Sequence, residues 1–184
     1  MNFPRILKKR KGYIDRIKPF MQKSVAKVLT GQRRVGKSFL LYQLIEEILA
    51  EEPDANIIYV NLEDFTFSSL QTAEDLHSYI ISHSKEKVKN YIFIDEIQDI
   101  PGFEKVIRSL LLNEDNDIYI TGSNAKMLSG ELATYLSGRY IEFKIYSLSY
   151  SEFLEFHGLT ESETSYELYS CLLYTSPSPR DRTR

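Results

Sequence analysis

The chain has 184 residues, 42% hydrophobic and 12% aromatic, with 23 basic and 26 acidic side chains for a net charge of −3. That length suits one domain with its own core, and no apolar run approaches the roughly 20 residues that span a bilayer, so no membrane partner is expected. The single cysteine, Cys171, excludes an internal disulfide and points to a reducing compartment, the cytoplasm.

Charge is unevenly placed. Residues 1–37 carry twelve Lys and Arg against one acid, Asp15, a net of +11. Residues 38–170 carry eight basic and twenty-four acidic side chains, a net of −16. A basic arm packed on an acidic body accounts for this asymmetry, and a nucleic-acid contact is the sharper alternative.

In chain order, residues 1–23 read as one or two short basic helices, without the apolar core of a secretory leader. Val25–Thr30 is an apolar, β-branched strand that runs into glycine. Residues 37–52 repeat apolar side chains at helical spacing: Phe39, Leu40, Leu41, Leu44, Ile45, Ile48 and Leu49. That is a helix burying one broad face, ended by Pro53 and Asp54. Residues 56–62 (NIIYVNL) and 91–96 (YIFIDE) are continuous apolar runs, the mark of strands covered on both faces in a parallel sheet. Between them, residues 72–88 read as a helix with Thr72 as its N-cap. Residues 102–114 are a further helix, 117–123 a fourth strand, 139–146 a fifth, and 149–158 open a last helix. Strands alternating with helices imply right-handed crossovers and a doubly wound α/β sheet, whose strand order this pattern leaves open.

Three motifs carry chemistry. GQRRVGKS fits G-x-x-x-x-G-K-[ST] with Gly31, Gly36, Lys37 and Ser38, after a strand and before an amphipathic helix. Glycines let the backbone approach phosphate oxygens. The N–H groups of Gln32, Arg33, Arg34, Val35, Gly36 and the helix start through Phe39 then form a concave anion site. Lys37 reaches the outer phosphates and Ser38 offers its hydroxyl to Mg²⁺. Asp95 and Glu96 end a buried strand, with Asp95 placed to hold Mg²⁺ and Glu96 to polarise an attacking water. Ser123 or Asn124, at the end of the fourth strand, is a candidate contact to the terminal phosphate. Arg139 is a candidate stabiliser of transition-state charge, in cis or from a neighbouring subunit.

Together the runs VLTGQRRVGKSFLL, FIDEIQDIPGFEKVIRSLL and ITGSNAKMLSGELATYLSGRYIEFKIYSLSYSEFLEF resemble bacterial and archaeal AAA+ P-loop ATPases of the catalytic-glutamate type, across roughly Asp15 to Gly158. The resemblance implies a three-layer core with a mainly parallel five-stranded sheet in the order 5-1-4-3-2. It implies ATP and Mg²⁺ as cofactors, Glu96 as catalytic base, Ser123 or Asn124 as sensor and Arg139 as a finger candidate; such ATPases often assemble as homo-oligomers, and the sequence leaves open whether this one does. One departure is Ser147, where the family often has proline. The family continues into a helical lid and further C-terminal segments, which include a DNA-binding-like one. A second sensor arginine is therefore not expected within these residues.

The expected division is a basic helical segment at 1–23, an ATPase core at 24–158 and the start of a lid at 159–170. Residues 171–184 read as a non-native tail, in which the eleven residues CLLYTSPSPRD match one reading frame of a transposon-end sequencing adapter. The expected function is Mg²⁺-dependent ATP hydrolysis that drives or gates a C-terminal effector region. A slow-turnover nucleotide switch and a nucleic-acid-binding module under ATP control are the alternatives.

Overall fold

The computed structural model describes residues 8–123, 135–136 and 138–175. Five strands form one sheet: β1 Ala26–Thr30, β2 Asn56–Asn61, β3 Asn90–Asp95, β4 Asn116–Gly122 and β5 Tyr140–Lys144. They lie in the order β2-β3-β4-β1-β5, and every neighbouring pair is parallel. This is the order 5-1-4-3-2 read from the other edge. Every residue of β1, β3 and β4 is buried, Lys27, Asn116 and Asp117 included, whereas the edge strands β2 and β5 are only partly covered. The expectation of cover on both faces thus holds for the apolar run of β3 but not for that of β2, which lies at the sheet edge.

Side chains alternate across the sheet, and the two faces differ in kind. Val28, Ile92, Ile94, Ile118 and Ile120 face α3 (Ala73–His83) and α4 (Phe103–Leu110), which add Leu76, Ile80, Val106, Ile107 and Leu110. Leu29, Tyr91, Phe93, Tyr119 and Phe143 face α1 (Lys11–Ile17) and α2 (Lys37–Glu51), which add Ile14, Ile17, Leu40, Leu41, Leu44, Ile45 and Ile48. Phe93 and Tyr119 stack at 4.5 Å with ring planes 11° apart. Burying each such side chain contributes roughly 1.5–3 kcal/mol. Phe39, expected on the buried stripe of α2, is instead 50% exposed, because it sits on the first turn where the helix emerges from the loop.

Helix boundaries follow local chemistry. Thr72 caps α3 through a reciprocal box with Asp75, as expected. That helix stops at His83 rather than Val88, since Ser84 turns extended and the buried Asn90 side chain holds the backbone of Lys85. A second capping box, Ser149 with Glu152, starts α5 (Tyr150–His157), and Gly158 in left-handed conformation ends it. The last helix, α6 (Glu163–Thr175), runs past the expected break at residue 170. Its Tyr169 packs on Tyr150 and Phe153 of α5 and donates to the Leu148 carbonyl.

Among its described residues, the expected basic N-terminal segment contains α1 and a 3-10 turn, Lys18–Phe20. Four of its seven described cations, Lys8, Lys9, Arg10 and Lys18, are engaged by the body. Lys9 and Lys18 both pair with Glu47, Arg10 pairs with Glu152, and Lys8 donates to the carbonyls of Glu155 and Phe156. Packing of a basic arm on an acidic body is thus what the geometry displays.

Candidate nucleotide site

In register, Thr30 of β1 lies beside Gly122 of β4, and Ile94 of β3 beside Ile120 of β4. The three motifs therefore leave the same end of adjacent strands, where an open α/β sheet places its ligand crevice. The loop Gly31–Ser38 leaves β1 and enters α2 at Lys37. Only glycine fits at position 31: φ is 155°, and a β-carbon there would overlap the carbonyl oxygen of Ile145. Gly36, at φ 91°, makes the turn into the helix, and no side chain caps that helix. The first N–H groups of α2 thus point into the crevice with no intrahelical acceptor, a ready anion site.

Lys37 is 4% exposed. Its amino group donates to the carbonyls of Gly31 at 3.2 Å and Gln32 at 2.9 Å and lies 3.5 Å from Glu96 Oε1. Ser38 is half-buried in the first turn of α2. Gln32, Arg33 and Arg34 are exposed, Val35 is half-buried, and Phe39 turns outward against Tyr42.

Asp95 and Glu96 stand at the end of β3, both buried. Thr121 of β4 joins them: its hydroxyl donates to Asp95 Oδ1 and accepts from the Glu96 N–H at 3.0 Å. Tyr59 of β2 donates to Asp95 Oδ2 at 3.3 Å and also meets the Tyr42 hydroxyl at 3.1 Å. Glu96 itself adopts a left-handed backbone at φ 55°. For a side chain without glycine's freedom that conformation costs about 1–3 kcal/mol, and such strain clusters at functional sites.

The Glu96 carboxylate accepts from Gln98 Nε2 at 2.6 Å and Ser123 Oγ at 2.8 Å. Burial pushes its pKa upward, but the bonds from Gln98 and Ser123 and the charge of Lys37 outweigh burial and hold it below the usual carboxylate value. Asp95 and Ser38 form a sparse set of hard oxygen donors. Among the described residues no cluster of three or more His, Cys, Asp or Glu could enclose a metal. Such a set fits Mg²⁺, which keeps several waters and takes other ligands from phosphate.

Of the residues expected from sequence, the structure gathers Gly31 to Ser38, Asp95, Glu96 and Ser123 at one rim. Asn124 lies outside the described residues. Arg139 is placed elsewhere: its carbonyl accepts from the N–H of Ala26, the first residue of β1, at the opposite end of the sheet. The length of β1 separates it from the loop by roughly 15 Å, beyond an arginine side chain. Arg139 thus lies away from the loop of its own chain, because β5 runs parallel to β1 and starts where β1 starts.

Sequence reasoning missed Thr121, Tyr59 and Gln98. Thr121 and Tyr59 carry their hydroxyls inside runs read only as apolar strands. Their signal is position, two residues before the sensor candidate and on the strand paired with β3.

The AAA domain model (AAA_14) matches residues 23–154 of the chain. An uncharacterized protein of Haemophilus influenzae is 42% identical over 169 residues, covering 88% of this chain and 41% of that protein. An uncharacterized protein of Methanocaldococcus jannaschii is 37% identical over 131 residues, covering 71% of this chain and 28% of that protein. The chain therefore spans less than half the length of either relative. Among solved structures, AMPPCP-bound DnaA from Aquifex aeolicus superposes with a TM-score of 0.54 at 16% identity, over 95% of this chain and 60% of that one. The Aeropyrum pernix ORC1 protein in complex with DNA gives 0.56 at 15% identity, over 90% of this chain and 51% of that one. C. elegans PCH-2 gives 0.56 at 15% identity, over 78% and 44%. At these identities the likeness is one of fold. With the loop, the acidic pair and the all-parallel sheet in place, the match over residues 23–154 leads to one conclusion: the chain belongs to the AAA domain family.

Proposed function

We propose that the chain binds ATP with Mg²⁺ at Gly31–Ser38 and hydrolyses it to ADP and phosphate. The observation that carries this reading is the convergence on one carboxylate. Lys37 from the loop, Ser123 from the end of β4 and Gln98 all meet Glu96 within 3.5 Å.

In this reading the loop amides and Lys37 hold the outer phosphates and balance charge that grows on the leaving oxygen. Ser38 and Asp95 would hold Mg²⁺, which supplies charge neutralisation between the phosphates when bound. Glu96 accepts a proton from water as the water oxygen bonds to the γ-phosphorus. The bond to the β,γ-bridging oxygen breaks, and ADP takes the electron pair. Thr121 keeps Asp95 and the Glu96 backbone in register. Arg139, exposed at the far end of the sheet, serves the site of a neighbouring copy in a homo-oligomer.

Glu96→Gln keeps the shape and removes the base. Phosphate release should fall about 10²- to 10⁴-fold while ATP affinity is retained; equal rates in wild type and variant would reject the assignment.

One observation favours a second reading, a slow-turnover switch. Glu96 is already tied to Gln98, Ser123 and Lys37, and a carboxylate held below its usual pKa is a weaker base. Single-turnover kinetics separate the two: bound ATP that persists for many minutes identifies a switch. A nucleic-acid contact through the N-terminus draws support only from cations outside the ion pairs, such as Lys11 and Lys23, and would show as binding that weakens steeply with salt.

A further inference from the structure

Arg10 is buried to 5% exposure at a position that the nucleotide reading leaves unexplained. Its Nε and Nη2 meet the two carboxylate oxygens of Glu152 at 2.9 and 3.0 Å, the bidentate fork that only arginine forms. Nη1 donates to the carbonyls of Val35 at 3.1 Å and Tyr146 at 3.0 Å, and Nη2 reaches the Ser147 carbonyl at 3.5 Å. The guanidinium lies 4.5 Å from the Tyr13 ring centroid. Gln43, buried on α2, fixes the backbone on either side: its Oε1 accepts from the Arg10 N–H and its Nε2 donates to the Lys8 carbonyl.

The Val35 contact is the informative one, because Val35 precedes Gly36 in the phosphate loop. The peptide between them is planar and trans, so its carbonyl and the Gly36 N–H point in opposite directions. A donor that grips the carbonyl therefore aims the N–H. Glu152, on the other side of the same guanidinium, belongs to the capping box that starts α5.

We propose that Arg10 is a positioning residue for the phosphate loop. It aims the Gly36 N–H into the anion site through the Val35 carbonyl and, through Glu152, ties that aim to the first turn of α5. This inference rests on the nucleotide reading above. By linkage, whatever alters the Arg10–Glu152 pair alters nucleotide affinity, and nucleotide on the loop alters the first turn of α5.

The test measures ATP affinity with Mg²⁺ in the full chain by titration with a fluorescent ATP analogue. Glu152→Gln keeps a capping-box residue but breaks the charged fork, and should weaken binding about threefold to thirtyfold. Ser149→Ala removes the N-cap of the same helix without touching Arg10, and should leave affinity within about twofold. Hydrogen exchange in residues 149–153 should fall on ATP addition in wild type and respond less in Glu152→Gln. Equal affinities in wild type and Glu152→Gln would overturn the proposal. Equal weakening by Glu152→Gln and Ser149→Ala would also overturn it, by reducing Glu152 to helix stability. Lys37→Ala separates the two levels: if it binds like wild type the nucleotide reading fails, and if it alone loses binding only the Arg10 inference fails.

Discussion

The two ends of the sheet each hold a buried lysine beside an acid, and they are built differently. At the N-terminal end Lys27 and Asp117 are wholly buried and in direct contact. Lys27 also donates to the Val25 carbonyl at 2.9 Å and lies over the Tyr119 ring. Asp117 accepts from the Tyr119 hydroxyl and the Gln22 N–H, both at 2.8 Å. At the C-terminal end Lys37 stands 3.5 Å from Glu96, shared with two loop carbonyls. The first pair is saturated and fixed. The second is loosely paired beside uncapped amides, so its cation is available to an incoming anion. The same charge types give structure at one rim and a binding site at the other. Each lysine meets three acceptors, so it is the closeness of the ion pair and its full burial that differ.

The largest expected effect concerns the saturated end. Asp117→Asn leaves Lys27 buried without its counter-charge and should destabilise the fold by about 3–5 kcal/mol, read by urea unfolding. Lys37→Ala should change stability by no more than about 1 kcal/mol while removing ATP binding. Similar stability losses from the two substitutions would break the comparison.

A smaller effect is expected within the site. Thr121→Val deprives Asp95 Oδ1 of a donor and the Glu96 N–H of its acceptor, at about 1–3 kcal/mol. It should also raise the Mg²⁺ concentration needed for nucleotide binding. A variant with wild-type stability and Mg²⁺ dependence would show that Thr121 does not support the acidic pair.

The smallest effect is with pH. Glu96 and Glu152 both sit below the usual 4.5, since hydrogen bonds and cations outweigh the opposing push of burial. Groups depressed in the folded state add stability that is complete above about pH 4.5 and is lost as pH falls through the folded values. Unfolding midpoints followed from about pH 7 to 3 should fall below that point in wild type, and more shallowly in Glu152→Gln. Identical profiles would place no stabilising role on the Arg10–Glu152 pair.

Much of the candidate nucleotide rim was legible because its constraints are local. Gly31, Gly36, Lys37 and Ser38 are fixed by the geometry of one loop, and Asp95 and Glu96 by the end of one apolar run. The parallel sheet followed from strands without alternation. Arg10, Gln43 and Lys27 were not legible in the same way. Each is one polar residue among many, and its role depends on partners 33 to 142 positions away. Glu152 read only as part of a helix start. The distance of Arg139 from the loop was not legible for a related reason: it follows from the pairing of β5 with β1, and no local pattern encodes that register.

The contrast between the two faces of the sheet has an optical consequence. The chain has thirteen tyrosines and no tryptophan. Tyr91, Phe93 and Tyr119 are buried under α1 and α2, while on the opposite face the buried strand side chains are aliphatic and the aromatic ones, Phe103, Phe67, Tyr79 and Tyr140, sit at its margin. Near-ultraviolet circular dichroism should therefore draw in part on the layer that carries the phosphate loop, beside the tyrosines packed between α5 and α6. A decline there that Tyr91→Phe and Tyr119→Phe reduce, with far-ultraviolet signal intact, would mark loosening of that layer before the helices and strands themselves are lost.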